Sequence, residues 1–332
     1  MQPTYDVAIR GSGPAALYCA LTLAPHVKVA LYASCELSLD THVLWPGLTE
    51  HWGLLKENLG DEQTRALIQT MQRSRDLLAE EPETRRGAVL QLASNPTEFQ
   101  EMTLHLRWLN DIWPRRLMSA GSASNYVPVN DIAGAAFIGD TLALDETALT
   151  TRLCIRLQTL RAQILPESPR DYEILVDADP ELPGLFTQTG AEFLCANVNE
   201  PWNPALVGIE TQRGHLHLRP HPRGWLVSGV APEGVALKHP EILRNLAAQA
   251  LSPLEGLIIE DSRPLIHRAS ADGLPVVGPA PGNPHKWSLG AFAGRSWSLG
   301  PALGEQVALA LLGRPTPLLD ALPCLRPSRF LR

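Results

Sequence analysis

A short run of small and β-branched residues, Tyr5-Asp6-Val7-Ala8-Ile9-Arg10, leads straight into Gly11-Ser12-Gly13-Pro14-Ala15-Ala16. This junction constrains the fold more than any other stretch of the chain. The run reads as a buried strand. Pro14 suits the first position of a helix, where its missing N–H has no partner to lose. Ala16, Leu17, Ala20, Leu21 and Leu23 continue that helix, Pro25 stops it, and Val27–Tyr32 reads as a second strand. The result is a βαβ unit whose turn has the form GxGxxA. Gly11 permits the tight turn, Gly13 lets backbone approach a pyrophosphate, and the small Ala16 allows helix and strand to pack. The helix N-terminus adds unpaired N–H groups and the positive end of a dipole. Gly11, Gly13, Pro14, Ala15 and Ala16 are therefore candidate dinucleotide-binding residues.

Two positions depart from the pattern. The second strand of such a unit ends in an acid that holds the ribose hydroxyls, and Ala33 stands there, with Ser34 or Glu36 as alternatives. Arg10 occupies a place where an apolar residue or glycine is usual. Both leave open a Rossmann-like unit that no longer binds nucleotide.

Helical periodicity returns at Leu67, Met71 and Leu78, and again at Phe99, Met102, Leu106, Leu109 and Trp113, with Arg85–Leu92 as a strand between them. Asp145 is a good N-cap for a helix that buries Leu149, Leu153, Leu157 and Leu160. Short strands follow at Glu192–Ala196, His215–Leu218, Trp225–Val230 and Leu257–Glu260. A glycine-rich stretch (Gly290, Gly294, Gly300) then enters a last helix with Pro301 near its start and Gly313 at its end. With 332 residues and no flexible linker, interleaved strands and helices imply two sub-domains that share the chain discontinuously. A net charge of −7 argues against whole-surface attraction to nucleic acid or anionic membrane. The five cysteines are scattered and never in a metal-ligand spacing, so neither a disulfide framework nor a metal site is expected. No run approaches the ~20 apolar residues of a membrane span. A cytoplasmic protein is expected, and its oligomeric state is left open.

Near the other end, Arg268-Ala269-Ser270-Ala271-Asp272-Gly273-Leu274-Pro275-Val276-Val277-Gly278-Pro279 resembles the DGLP segment of the D-amino-acid-oxidase-like FAD enzymes, which include glycine oxidase, sarcosine oxidase and D-amino-acid dehydrogenase. Gly290–Pro301 looks like their last flavin loop, and Gly47-Leu48-Thr49 with Gly53 is similar to the loop after their second strand. The likeness is specific at both ends and loose from about residue 55 to 210. Within the family it is nearest in feel to glycine oxidase and to the oxidase domain of a bifunctional enzyme that modifies carboxymethylaminomethyluridine in tRNA. Ser296 replaces a usual glycine of the flavin loop.

The resemblance implies an α/β fold, with a Rossmann-like FAD-binding domain (1–55, 140–205 and 265–332) interleaved with an antiparallel-sheet substrate domain (56–139 and 206–264). It implies FAD as cofactor, held by the glycine turn with Ser34, Thr49, Gly294, Arg295, Ser296, Trp297 and Ser298. The expected activity is oxidation of a C–N bond in a glycine-like amine or amino acid, as oxidase or dehydrogenase, followed by imine hydrolysis. A substrate carboxylate wants a forked, permanently charged partner. Arg263 and Arg268, just before the DGLP turn, are the candidates, with Arg295 behind them. His215 and His217 share one strand face and fall where glycine oxidase places a His and a Tyr, so either is a candidate proton acceptor. The plain alternatives are surface arginines and a half-exposed strand face. Two further readings stand beside this one. The glycine unit can hang on a nucleobase of tRNA or DNA, held by the basic stretch Arg213–Arg223 and the tail arginines Arg326, Arg329 and Arg332. Alternatively the chain is a degenerate flavoprotein that serves as a non-catalytic binding subunit.

Overall fold

The computed structural model describes residues 4–32, 43–44, 49–109, 113, 115–196, 203, 205–211, 216–221, 223–230, 244–245, 248–249, 251 and 258–330. Strand β1 (Tyr5–Arg10), helix α1 (Pro14–Leu23) and strand β2 (Val29–Tyr32) form the expected βαβ unit. There follow β3 (Val43–Leu44) and α2 (Thr49–Leu78), the latter broken at Gly60 by a φ of 78°. Next come β4 (Thr84–Ala93), α3 (Pro96–Leu109), β5 (Arg115–Met118), α4 (Ala120–Ala123) and β6 (Gly134–Leu144). The Asp145 carboxylate accepts from the Ala148 N–H and caps α5 (Glu146–Thr159), as its sequence predicts. Then come β7 (Gln163–Leu165), β8 (Tyr172–Asp177), β9 (Leu185–Ala196), β10 (Leu206–Thr211), β11 (Leu216–His221), β12 (Gly224–Val230) and β13 (Ile259–Ser270). The chain closes with β14 (Val276–Ala280), β15 (Asn283–Gly290), α6 (Ser296–Leu311) and a one-turn α7 (Pro317–Asp320).

Two sheets organise these elements. The first runs β14-β15-β8-β1-β2-β7, parallel except for the β14–β15 hairpin. Its parallel strands are short apolar runs, and α1 and α6 bury their apolar sides on it. Because β1 has β2 on one side and β8 on the other, the strand order reverses at β1. Ligands of open α/β sheets bind beyond the strand ends at such a switch point. The second sheet runs β13-β9-β12-β11-β10-β4-β6-β3, with β5 also paired to β6, and is mostly antiparallel. Strand β9 hydrogen-bonds in this second sheet, although its residues 185–196 were grouped from sequence with the nucleotide-binding part. Alternation sorts its side chains: Leu90, Phe193, Cys195, Ile209, Leu216, Leu218 and Val227 share one apolar cluster, and the other face carries most of the sheet's polar residues along with Leu194 and Leu226. Among the described residues no helix is long and apolar enough to cross a membrane.

Candidate functional site

The turn after β1 is built from backbone. Gly11 has φ 123°, a conformation that side chains resist. Its N–H donates to the Tyr32 carbonyl at 2.8 Å, and a Cβ there would lie 2.9 Å from the Cβ of Ala178. Gly13 is the N-cap of α1, and a Cβ on it would meet open space. No side chain caps α1, and its first turn holds no acid.

Helix α6 ends at the same place. Gly300 faces Ala15 (3.0 Å from a built Cβ to the Ala15 nitrogen), and Gly304 faces the Ala15 carbonyl and the Cys19 nitrogen. The paired advance from 300 to 304 and from 15 to 19 means the two helices run in one direction, with their N-termini side by side. Helix α6 also lacks a side-chain cap and an acid in its first turn. Pro301 gives it no N–H at that position, and the next N–H, that of Ala302, donates to Ser74 Oγ at 3.1 Å. Two positive helix ends that carry neither a side-chain cap nor an acid in their first turn suit an anionic group. The residues before α6 are tightly turned: Ala291, Ala293 and Gly294 have φ of 60°, 50° and 79°.

The polar face of the second sheet supplies the side chains. Register aligns Arg263, Glu192, Ser228, His217, Glu210 and Gln91 in one row across β13, β9, β12, β11, β10 and β4. Directly paired residues share a face, so all six project from the same side. Glu192 is 2% exposed and is held by two cations: Arg263 Nε donates to Oε1 at 2.6 Å and Arg219 Nη2 to Oε2 at 2.9 Å. Burial holds the Arg219 guanidinium below its usual range; Glu192 opposes this and Arg263 adds to it. A cavity of about 700 Å³ opens over this part of the face, lined by Glu192, Arg219, Arg263, His221 and, from the start of α5, Glu146. Burial, then the charges of Arg223 and Arg219, push the His221 imidazole below its usual value, with Glu192 opposing. Glu146 Oε1 accepts from Trp297 Nε1 at 3.1 Å, a side-chain link between a cavity-lining residue and the first turn of α6. Further along the row, Arg115 and Arg295 both lie within the electrostatic reach of Glu210, which is fully buried. Burial lowers both guanidinium groups, that of Arg115 to about 10.

The structure thus brings together Gly11, Gly13, Pro14, Ala15, Ala16, Arg295, Ser296, Trp297 and Ser298 at two adjoining helix ends. Gly294 lies in the turn just before. It places His217 and Arg263 on the polar row. Arg268 sits five residues beyond Arg263 on an unbulged stretch of β13, so strand parity turns it to the opposite face. There its Nε lies 3.3 Å from Asp179 Oδ1. His215 and Ser34 lie outside the described residues, as does the side chain of Thr49. The tail arginine Arg329, one of those the nucleic-acid alternative assigns to phosphates, binds Asp272 Oδ2 at 2.7 Å and the Leu274 carbonyl at 2.8 Å. It is committed to bracing the DGLP turn. Sequence reading missed Glu192, Glu210, Arg219 and Glu146. The available signal was a single acid inside an otherwise apolar strand, as in Ala191-Glu192-Phe193-Leu194-Cys195.

No family model matches the chain. A stretch of 93 residues is 40% identical to the tRNA 5-methylaminomethyl-2-thiouridine biosynthesis bifunctional protein MnmC of Caulobacter sp. (strain K31). That match covers 27% of this chain and only 14% of the relative. Whole-chain likeness comes from solved structures. L-proline dehydrogenase from P. horikoshii superposes with a TM-score of 0.80 at 16% identity, over 100% of this chain and 99% of that one. Glycine oxidase from Geobacillus kaustophilus gives 0.73 at 16% identity over 94% and 95%. L-α-glycerophosphate oxidase from Mycoplasma pneumoniae, solved with FAD bound, gives 0.72 at 14% identity over 94% and 95%. A nucleotide-type βαβ turn, a parallel helix pair ending beside it and a polar-faced second sheet all fall in one superposition, and the chain has the D-amino-acid-oxidase-like fold.

Proposed function

We propose that this chain is an FAD-dependent oxidoreductase that oxidises the C–N bond of a small glycine-like amine or amino acid. The observation that carries the reading is the meeting of two helix N-termini that lack side-chain caps, with a charged cavity on the second sheet whose wall residue Glu146 accepts from Trp297 of α6. In this reading the first sheet and its helices form the cofactor half and the second sheet the substrate half. Bound FAD would supply a two-electron acceptor for the carbon beside the substrate nitrogen, with hydrolysis of the imine to follow. The Gly11–Ala16 turn would take the pyrophosphate, with Ser34 and Thr49 proposed further along the cofactor. The first turn of α6, Ser296 to Ser298, would stabilise negative charge on the flavin. Arg219 and Arg263 converge on the single carboxylate of Glu192, and in this reading their forked guanidinium groups would also hold the carboxylate of a substrate. His217, or the neighbouring His215, would accept the amine proton.

The test is the visible spectrum of the purified protein with mass identification of any released cofactor. A yellow protein that releases FAD supports the reading. A colourless protein that takes up no added FAD overturns it and favours a non-catalytic subunit. A second reading moves the same chemistry to a glycine-type group on a tRNA nucleobase, favoured by the 93-residue match to the tRNA-modifying relative. It expects binding to tRNA that weakens steeply with salt, and the absence of such binding removes it.

A further inference from the structure

Arg10 is the unusual residue of the nucleotide turn, and the structure gives it partners on Asp177 and Asp179. Its Nε donates to Asp177 Oδ1 at 2.7 Å and its Nη2 to Oδ2 at 2.9 Å. Nη2 also donates to the Asp179 carbonyl. Asp177 is buried at the end of β8, with Lys286 Nζ 3.6 Å from its second oxygen. The contacts do not stop there. Asp179 pairs with Arg268, and the Arg268 carbonyl accepts from the Ala293 N–H at 3.0 Å. Ala293 lies in the tightly turned loop that leads into α6. A chain of ion pairs and backbone hydrogen bonds therefore runs from the residue before Gly11 to the loop before Ser296. Its first link joins Arg10 and Asp177, directly paired residues of the first sheet, and its later links pass beyond the end of β8 to Arg268 on β13 and to the loop before α6.

We infer that the bridge Arg10–Asp177/Asp179–Arg268 fixes the distance between the nucleotide turn and the flavin loop, and that Arg10 is a positioning residue for the dinucleotide. The inference rests on the proposed function. Asp177 and Asp179 bring two negative charges beside a turn meant for a pyrophosphate; Arg10, Lys286 and Arg268 bring three positive ones. The bridge therefore leaves no residual negative charge to repel the phosphates. A ligand that touches both loops depends on their spacing, whereas one that touches the turn alone does not. That difference makes the role measurable without any assay of turnover.

The experiment is calorimetric titration of the wild type and of the double variant R10M/D177N with FAD and, separately, with ADP. ADP carries the adenosine and pyrophosphate but no flavin. Removing both members of the pair avoids leaving a buried unpaired Asp177. The expected result is FAD binding weakened about tenfold, the scale of one lost charged contact, with ADP affinity within about twofold of wild type. Unchanged FAD affinity overturns the inference, and so does an equal loss for both ligands, which would place the effect in the nucleotide turn alone. If R10M/D177N fails to fold by near-ultraviolet circular dichroism, D179N carries the same test, since its side chain is 59% exposed. It should weaken FAD by a smaller factor and leave ADP unaffected; identical behaviour to wild type overturns the bridge. A wild-type protein that binds ADP but never FAD fails the proposed function instead, and the inference falls with it.

Discussion

The two sheets of this protein present their ends and faces in opposite ways. The first sheet offers a site made of backbone: glycines, helix ends and short apolar strands, with charge supplied by dipoles. The second offers a site made of side chains: a row of acids, arginines and a histidine held on one face by strand register. A backbone site is specified by residues adjacent in sequence and tolerates few changes of shape. A side-chain site gathers single residues from six strands and tolerates changes of shape better than changes of charge.

The largest effect should come from Gly13→Asp. The position has φ −72° and open space beyond it, and Asp is a favoured N-cap, so the apo protein should melt at the same Tm or slightly higher. FAD binding should nevertheless be lost, by about a hundredfold or more, because the carboxylate stands where two helix ends would receive the phosphates. Titration with FAD alongside a melting curve checks both halves. Retained FAD would break the contrast by showing that the first sheet is not the cofactor side.

Gly304→Ala tests the close approach of α6 to α1. Its Cβ would lie 2.2 Å from the Ala15 carbonyl oxygen, a backbone atom that cannot turn aside. Overpacking of this kind costs about 3 kcal/mol, and denaturant unfolding should report it. A cost below about 0.5 kcal/mol would mean that the two helices slide freely.

Arg263→Lys sharpens the second sheet. Lys keeps the charge and loses the planar fork, so KM for a glycine-like substrate should rise about tenfold with the flavin spectrum intact. Arg268→Lys should act instead on FAD affinity, because its side chain faces Asp179 and not the cavity. The same KM change in both variants would cancel the distinction that strand parity draws.

The smallest effect concerns pH. Burial works against the Asp272 carboxylate, but hydrogen bonds from Arg329, Ser270 and the Leu274 N–H outweigh it and hold its pKa below the usual value. A folded pKa below the unfolded one means stability that is full above about pH 4 and lost as pH falls through the lower folded value. Asp272→Asn should flatten that acid limb in melting curves taken from pH 5 to pH 2. An unchanged acid limb would show that the turn is braced by the backbone alone.

The βαβ unit was legible because every part of it is local: strand, glycine, proline and helix follow one another within 28 residues, Tyr5 to Tyr32. The last helix was legible for the same reason, and so was the Asp145 cap. The placement of β9 was not, since its buried run Ala191–Cys195, apolar but for Glu192, fits either sheet until its partners β12 and β13 are known. Arg10 read as an anomaly because its explanation, Asp177, lies 167 residues away.

By itself the sequence determined the nucleotide-type turn, the α/β class and the glycine-rich approach to the closing helix, because steric rules for glycine and proline act between neighbours. Only the tertiary structure decided which arginine faces the cavity, that Glu192 sits between two cations and that Arg329 braces a turn. Those outcomes depend on register between strands far apart in the chain. A shift of one residue in that register would send each of these side chains to the other face.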